Sequence, residues 1–231
     1  MNAEQTPFRR IVSDYAESRI ALFGLALLTI ILLIALFAPL ISPQNPYDLA
    51  QLDVLDSRLP PLAQSQSDGA RTYWLGTDDQ GRDMLSGIFY GLRISVAVGV
   101  ASTVAALAIG LVLGLLAAYF GGWVDTLVMR IVDIQLSFPS ILIALILLAV
   151  LGQGLDKIII ALVAVQWAYY ARTVRGAALV ERWKEYMQAA AGLALSHVRI
   201  VFRHLLPNCL PPLIVVATVQ VATAITLEAT L

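Results

Sequence analysis

Apolar residues in this chain come in blocks of about 20, the length a helix needs to cross the hydrocarbon of a bilayer. The first block, 20–41, stops at "APLISPQNP", where prolines are expected to end the helix. The second, 94–120, is closed by Gly121 and Gly122. The third, 128–151, contains Pro139, which removes a backbone donor and predicts a kink. The fourth runs from 157 to about 179, although "YYARTVRG" makes its second half polar. The fifth, 208–231, has Pro211 and Pro212 in its first turn and is still apolar where the sequence ends. The pattern predicts an all-α integral membrane protein, a polytopic helix bundle with five spans.

Composition agrees. The 231 residues are 59% hydrophobic and 13% charged, with mean hydropathy +0.79; a soluble domain carries about twice that charged fraction. A net charge of −1 gives no basic surface for nucleic acid. Cys209 is the one cysteine, which rules out an internal disulfide and suits a packing role in its apolar stretch. The first apolar block is too long for a cleavable signal, and no small-residue cleavage pattern follows it.

Lys and Arg positions orient the bundle. With a cytoplasmic N-terminus, Arg9, Arg10, Arg19, Arg130, Arg172, Arg175, Arg182, Lys184, Arg199 and Arg203 fall inside. Only Arg58, Arg71, Arg82, Arg93 and Lys157 fall outside. This places 1–19 in the cytoplasm, a first transmembrane helix at 20–41 and an extracytoplasmic loop at 42–91. The loop holds Asp48, Asp53, Asp56, Asp68, Asp78, Asp79 and Asp83. Aspartates so scattered read as solvated rather than as a metal site.

Charges at membrane depth need a reason. Asp133 and Glu228, with the kink at Pro139, are candidates for a transport pathway or a proton relay; pairing or snorkelling near an interface is the plainer reading. For Asp125 and Arg130, near the inner interface, the plainer reading is preferred. Gly110 and Gly114, with Ala97, Ala101 and Ala105, form a small-residue face suited to close helix packing. No GxxxxGK[ST], HExxH, CxxC or GxSxG is present, and His197 and His204 lack acidic or cysteine partners at ligand spacing. The sequence therefore offers no catalytic residues, metal ligands or nucleotide site.

The segment "ARTVRGAALVERWKEYMQAAAGLALSHVRIVFRHLLPN" resembles the EAA loop of ABC-importer permeases. More narrowly, it is similar to the dipeptide/oligopeptide/nickel permease family. "WLGTDDQGRDMLSGIFYGLRISVAVG" resembles the GTDxxGRD lead of that family's C-type subunit, through Gly76, Asp78, Gly81, Arg82, Asp83, Gly91 and Arg93. "FPS" in the third span and the final "LEATL" also fit.

The resemblance implies a type I importer transmembrane domain over 92–231, incomplete at its C-terminus, with a sixth span expected beyond Leu231. It implies a multi-pass subunit of the cell membrane that forms, with a homologous B-type permease, a pathway for di- or oligopeptides, with nickel, glutathione or opines as alternatives. Two ATPase subunits or domains would hold ATP and Mg, leaving no cofactor on this chain, and an extracytoplasmic protein would deliver substrate. The cytoplasmic loop at about 181–206 would couple to the ATPase through Glu185, Gln188, Ala189, Ala190, Gly192 and Ala194, with Ala189, Ala190 and Ala191 as a low ridge entering a groove.

Gln188 stands where the family has glutamate, and Ala194 where it has glycine, so Gly192 carries a shifted turn or Ala194 is tolerated. Arg82 and Asp83 read either as a clasp, with Asp83 capping the helix and Arg82 on a loop aspartate, or as a contact with a partner; the clasp is preferred. The rival to the importer reading is an ion-coupled secondary carrier with Asp133 and Glu228 in its relay.

Overall fold

The computed structural model describes residues 15–67, 69–193 and 195–231. Arg9, Arg10, Asp68 and Ala194 lie outside the described residues, as does most of segment 1–19. The chain divides into two compact units, Met1–Val96 and Ala97–Leu231.

In the first unit, α1 (Arg19–Ile41) starts at Ser18, whose hydroxyl accepts the amide of Ala21. It continues through Pro39 and ends at Ser42. The stop therefore belongs to Pro43, which pushes the residue before it into extended backbone, rather than to Pro39. The loop that follows is built by its aspartates. Asp48 and Asp53 cap the short 3-10 turns Leu49–Gln51 and Val54–Asp56 through the amides of Ala50 (3.1 Å) and Leu55 (2.9 Å). Asp79 pairs with Arg58 at 2.5 Å. Asp48 and Asp53 thus shape turns, while Asp79 stays solvated, as expected, in its pair with Arg58.

Asp56 is buried beneath a two-stranded antiparallel hairpin, β1 (Ala63–Gln64) and β2 (Thr72–Tyr73). It accepts hydrogen bonds from Ser65 Oγ (2.7 Å), the Gln66 amide (2.6 Å), Ser67 Oγ (3.2 Å) and the Tyr73 hydroxyl (2.9 Å). Burial alone would raise its pKa, but these donors outweigh burial and hold it below the usual carboxylate value. A depressed folded-state pKa stabilises above the unfolded value of about 3.9, and that stability is lost as pH falls through the folded value. Asp56→Asn should cost the loop about 2–3 kcal/mol at neutral pH and remove this acid-dependent loss. Limited proteolysis of the loop as a function of pH measures both, and an unchanged acid midpoint would count against the role.

Helix α2 (Met84–Phe120) has 37 residues and is about 55 Å long. It begins ten residues before the apolar block, so residues 84–91, expected in the loop, are helical.

The second unit contains the rest of α2, then α3 (Gly122–Leu136), α4 (Ser140–Leu151), α5 (Leu155–Arg182), α6 (Glu185–Gly192) and α7 (His197–Thr230). Gly121 and Gly122 make the turn from α2 into α3. Where a kink was expected at Pro139, the chain breaks outright: α3 and α4 meet at 90°. Pro139 supplies no amide and pushes Phe138 off helical backbone, while the Asp133 carbonyl, bonded to the Ser137 amide at 3.1 Å, also accepts the Ser137 hydroxyl at 2.7 Å.

Helix α5 is the centre of this unit. Its face of Ala161, Leu162, Val165, Ala168, Ala171, Val174 and Ala178 is buried, and it packs on α3, α4 and α7. Gly110 and Gly114 of α2 approach its backbone. The close-packed register on α2 runs through Gly110, Gly114, Ala106, Ala117 and Ala118; Ala97 and Ala101 are exposed, so the expected small-residue face was placed partly on the wrong side. Helix α7 starts eleven residues earlier than the fifth block and takes a π-helical turn at Ile200–Leu205, just before Pro207.

Among the described residues, α1, α2 and α7 are long and apolar enough to cross a membrane, with a fourth span if the bent α3–α4 pair is one. The five expected spans are thus three or four on these grounds. Arg172, Thr173, Arg175 and Gln166 keep α5 out of the group despite its 28 residues.

Candidate functional site

Three features carry the candidate chemistry, and each can be traced to local structure. In the first, the GTDxxGRD run folds into the turn that feeds α2. Gly76 and Gly81 have φ of +79° and +76°. A Cβ on Gly76 would stand 2.4 Å from the Leu59 carbonyl oxygen, and one on Gly81 2.2 Å from that of Asp53. Only glycine satisfies both the backbone angle and the approach. Thr77 Oγ1 donates to the Asp56 carbonyl, and its backbone amide to Leu59 O at 3.1 Å, so the run is stitched to the preceding loop.

Asp83 is buried and caps α2: its Oδ2 accepts the amide (2.9 Å) and the hydroxyl (2.5 Å) of Ser86. Its own amide donates to Gln44 Oε1 at 2.7 Å. The cap half of the expected clasp is present. The other half differs: the Arg82 guanidinium donates to Gln80 Oε1, while Asp78 accepts the backbone amides of Gln80 and Arg82. Gly91 has open space around it and Arg93 is exposed, so neither joins this turn. Asp83→Ala should lower thermal stability by about 1–2 kcal/mol, more than Arg82→Ala. Melting of the two purified variants checks this, and the reverse order would refute the assigned roles.

The second feature is α6. Ala189 and Ala190 favour helix, and Glu185 in the first turn suits the positive end of the helix dipole. The helix has two distinct faces. Met187 and Ala190 are buried against Ile200, Leu205 and Cys209. Glu185, Gln188 and Ala189 are exposed. The expected ridge is therefore one-sided, because Ala190 points into the protein's own core. Gly192 is the last helical residue and is not among the glycines with positive φ, so it does not carry a left-handed turn.

Residues that sequence reasoning passed over hold α6 in place. Glu181 accepts from Lys184 Nζ (2.5 Å) and from the Tyr186 hydroxyl (2.7 Å), and Asn208 Nδ2 donates to that hydroxyl at 3.0 Å. Burial, reinforced by the Glu181 carboxylate, pushes the Tyr186 pKa up to about 12, so its hydroxyl remains a donor at physiological pH. Gln188 Nε2 donates to the Trp183 carbonyl at 3.1 Å, a bond that a glutamate there could not donate. At the start of α7, His197 Nδ1 meets the Tyr119 hydroxyl at the end of α2.

The third feature lies on α3 and α5. Asp125 takes a two-pronged ion pair from Arg175 at 2.5 and 2.6 Å, and Asp133 pairs with Arg172. Asp125 pairs as the plainer reading had it. Sequence position marks the two arginines only as orienting charges; acids eight residues apart on one helix, facing arginines three apart on another, are the signal for the pairing. Pro139 sits at the α3–α4 break, and Glu228 is half-buried near the end of α7.

Comparison with known proteins fits this arrangement. The family model described as "Binding-protein-dependent transport system inner membrane component" matches residues 110–231, and the "N-terminal TM domain of oligopeptide transport permease C" matches residues 6–61. The chain is 40% identical over 220 residues to the dipeptide transport system permease protein DppC of Escherichia coli, covering 95% of this chain and 72% of that protein. It is 38% identical to the DppC of Alkalihalophilus pseudofirmus, covering 95% of this chain and 69% of that one. It is 37% identical to the oligopeptide transport system permease protein OppC of Bacillus subtilis, covering 93% and 67%. With two family segments in order and relatives aligned over nearly its whole length, the chain belongs to the binding-protein-dependent transport system inner membrane components, in the branch of dipeptide and oligopeptide permease C subunits.

Proposed function

We infer that this chain is the C-type membrane subunit of an ATP-driven importer and forms, with a homologous B-type permease, the pathway for di- or oligopeptides. It carries no catalytic step itself. Two ATPase subunits or domains hold ATP and Mg, and an extracytoplasmic protein delivers the peptide. Domain 92–231 is the transmembrane body, and 181–206 is the cytoplasmic coupling loop. The observation that carries this reading is α6: a short helix, anchored to the bundle by one face, presents Glu185, Gln188 and Ala189 outward between two longer helices. A subunit with no ATP site of its own receives work by contact, and a knob on a rigid mount suits that task.

The direct test is reconstitution with its partner subunits in proteoliposomes. Peptide uptake should require ATP hydrolysis and persist when an uncoupler collapses the proton gradient. Uptake that survives ATP depletion but stops with the uncoupler would favour the ion-coupled carrier. Topology offers an independent check. A reporter at Gln64 should read outside the cell and one at Met187 cytoplasmic, with the N-terminus inside. An external Met187 would end the coupling role, because no cytosolic ATPase could reach it.

A further inference from the structure

Helices α3 and α5 expose charge where lipid would not tolerate it. On α3, Thr126, Arg130, Asp133 and Ser137 are all exposed and spaced i, i+4, i+7, i+11, which puts them along one side of the helix. Arg172 of α5 joins that side through its ion pair with Asp133, and both side chains remain about half exposed, at 51% and 58%. Helix α5 is about 42 Å long, with Arg172 about 15 Å from its end at Arg182, and Asp133 is about 17 Å from the start of α3. Arg172 lies in the middle stretch of α5, and Asp133 in the last turn of α3, just before the break that joins it to α4.

Each charge turned to lipid at such depth costs about 3 kcal/mol on insertion scales. The helix break at residues 137–139 adds irregular backbone, tolerated only where protein or water covers it. This side therefore faces away from lipid. It is also unbalanced: Asp125 and Asp133 oppose Arg130, Arg172 and Arg175, and Arg130 has no ion-pair partner among the described residues. A dry protein interface would leave that guanidinium buried and unmatched, whereas a water-filled passage would not. The Asp133–Arg172 pair also has capacity left, since among the described residues Arg172 uses one of its five guanidinium donors on Asp133.

We propose that this side of α3 and α5 is a wall of the hydrated pathway, where Arg172 and Arg130 receive the terminal carboxylate of a passing peptide and Asp133 its ammonium group. The inference rests on the peptide-import reading and deepens it, by giving the membrane subunit its own recognition of the peptide's charged ends. A guanidinium matches a carboxylate in two parallel hydrogen bonds, so the contact favours free-acid peptides.

Two experiments on the assembled complex test it. Gly176, exposed one turn beyond Arg172 with nothing within 4 Å of an added Cβ, accepts a cysteine. In a Cys209→Ala background, which removes the chain's only cysteine, Gly176→Cys should react with a charged, water-soluble methanethiosulfonate. Saturating trialanine should slow that reaction several-fold. A thiol that does not react means lipid or protein covers this side, and the proposal falls.

The second experiment compares uptake of trialanine and trialanine amide, each corrected for its measured affinity for the binding protein. The wild-type complex should favour the free acid by about tenfold, the size of one good charge-assisted contact. The neutral pair Arg172→Gln with Asp133→Asn should bring the ratio close to one. An unchanged ratio in a complex that transports both peptides overturns this inference alone. A wild-type complex that transports neither overturns the peptide-import reading, and this inference with it.

Discussion

Replacing Ala189 by arginine should leave the subunit folded, inserted and abundant, yet cut ATP-driven uptake about 30-fold or more, the equivalent of losing one interface hot spot. The expectation follows from the two faces of α6. Ala189 is exposed, so a long side chain there disturbs nothing within the chain. A groove shaped for a methyl group cannot take a guanidinium without separating the surfaces, so the loss should appear as reduced ATPase association. Ala190 is the control. It is 5% exposed and packed in the cluster of Met187, Ile200 and Leu205. Arginine at Ala190 should bury an unpaired charge in that cluster and lower membrane abundance instead. Co-purification of the ATPase, uptake and abundance separate the two outcomes. Normal ATPase association and uptake by Ala189→Arg would remove α6 from the coupling role.

The apolar blocks show where most helices lie because length and hydropathy are local properties. They misplace helix ends wherever a helix continues past the lipid. Residues 84–93, "MLSGIFYGLR", are of mixed polarity, and only the Asp83 cap and the loop packed beneath it reveal them as the start of α2. The polar second half of α5 blurred the fourth block for the opposite reason: arginines that look unsuited to a membrane find Asp125 and Asp133 on α3, and that pairing is not local.

The candidate site divides the same way. The spacing of Gly76 and Gly81 marks a motif, but the need for glycine becomes physical only when the carbonyls of Leu59 and Asp53 approach from 17 and 28 residues earlier in the chain. The alanine ridge was legible as a helix; which alanine faces inward depended on where Ile200 and Leu205 fold back.

The largest stability effect is expected at Gly114. A Cβ there would stand 2.6 Å from the Ala171 carbonyl oxygen and 2.8 Å from Val174 Cβ; at Gly110 one would stand 2.5 Å from the Trp167 carbonyl oxygen. These neighbours are backbone or the root of a side chain, so no rotamer change relieves the clash, and α5 as a whole would have to move. Helix α5 also packs on α3, α4 and α7, and its Arg182 donates to the Ala118 carbonyl at 2.9 Å. Helix propensity alone favours alanine over glycine by about 1 kcal/mol. The clash should reverse that sign, leaving Gly114→Ala less stable by about 1–3 kcal/mol, and Gly114→Leu should yield no folded subunit. Gly24 of α1 is the matched control, because an added Cβ there meets nothing within 4 Å. Gly24→Ala should be neutral or more stable by up to about 1 kcal/mol. Thermal unfolding of the purified variants in one detergent decides the point: if Gly114→Ala melts at or above the wild-type temperature, the close approach of α2 and α5 is not what holds this bundle together.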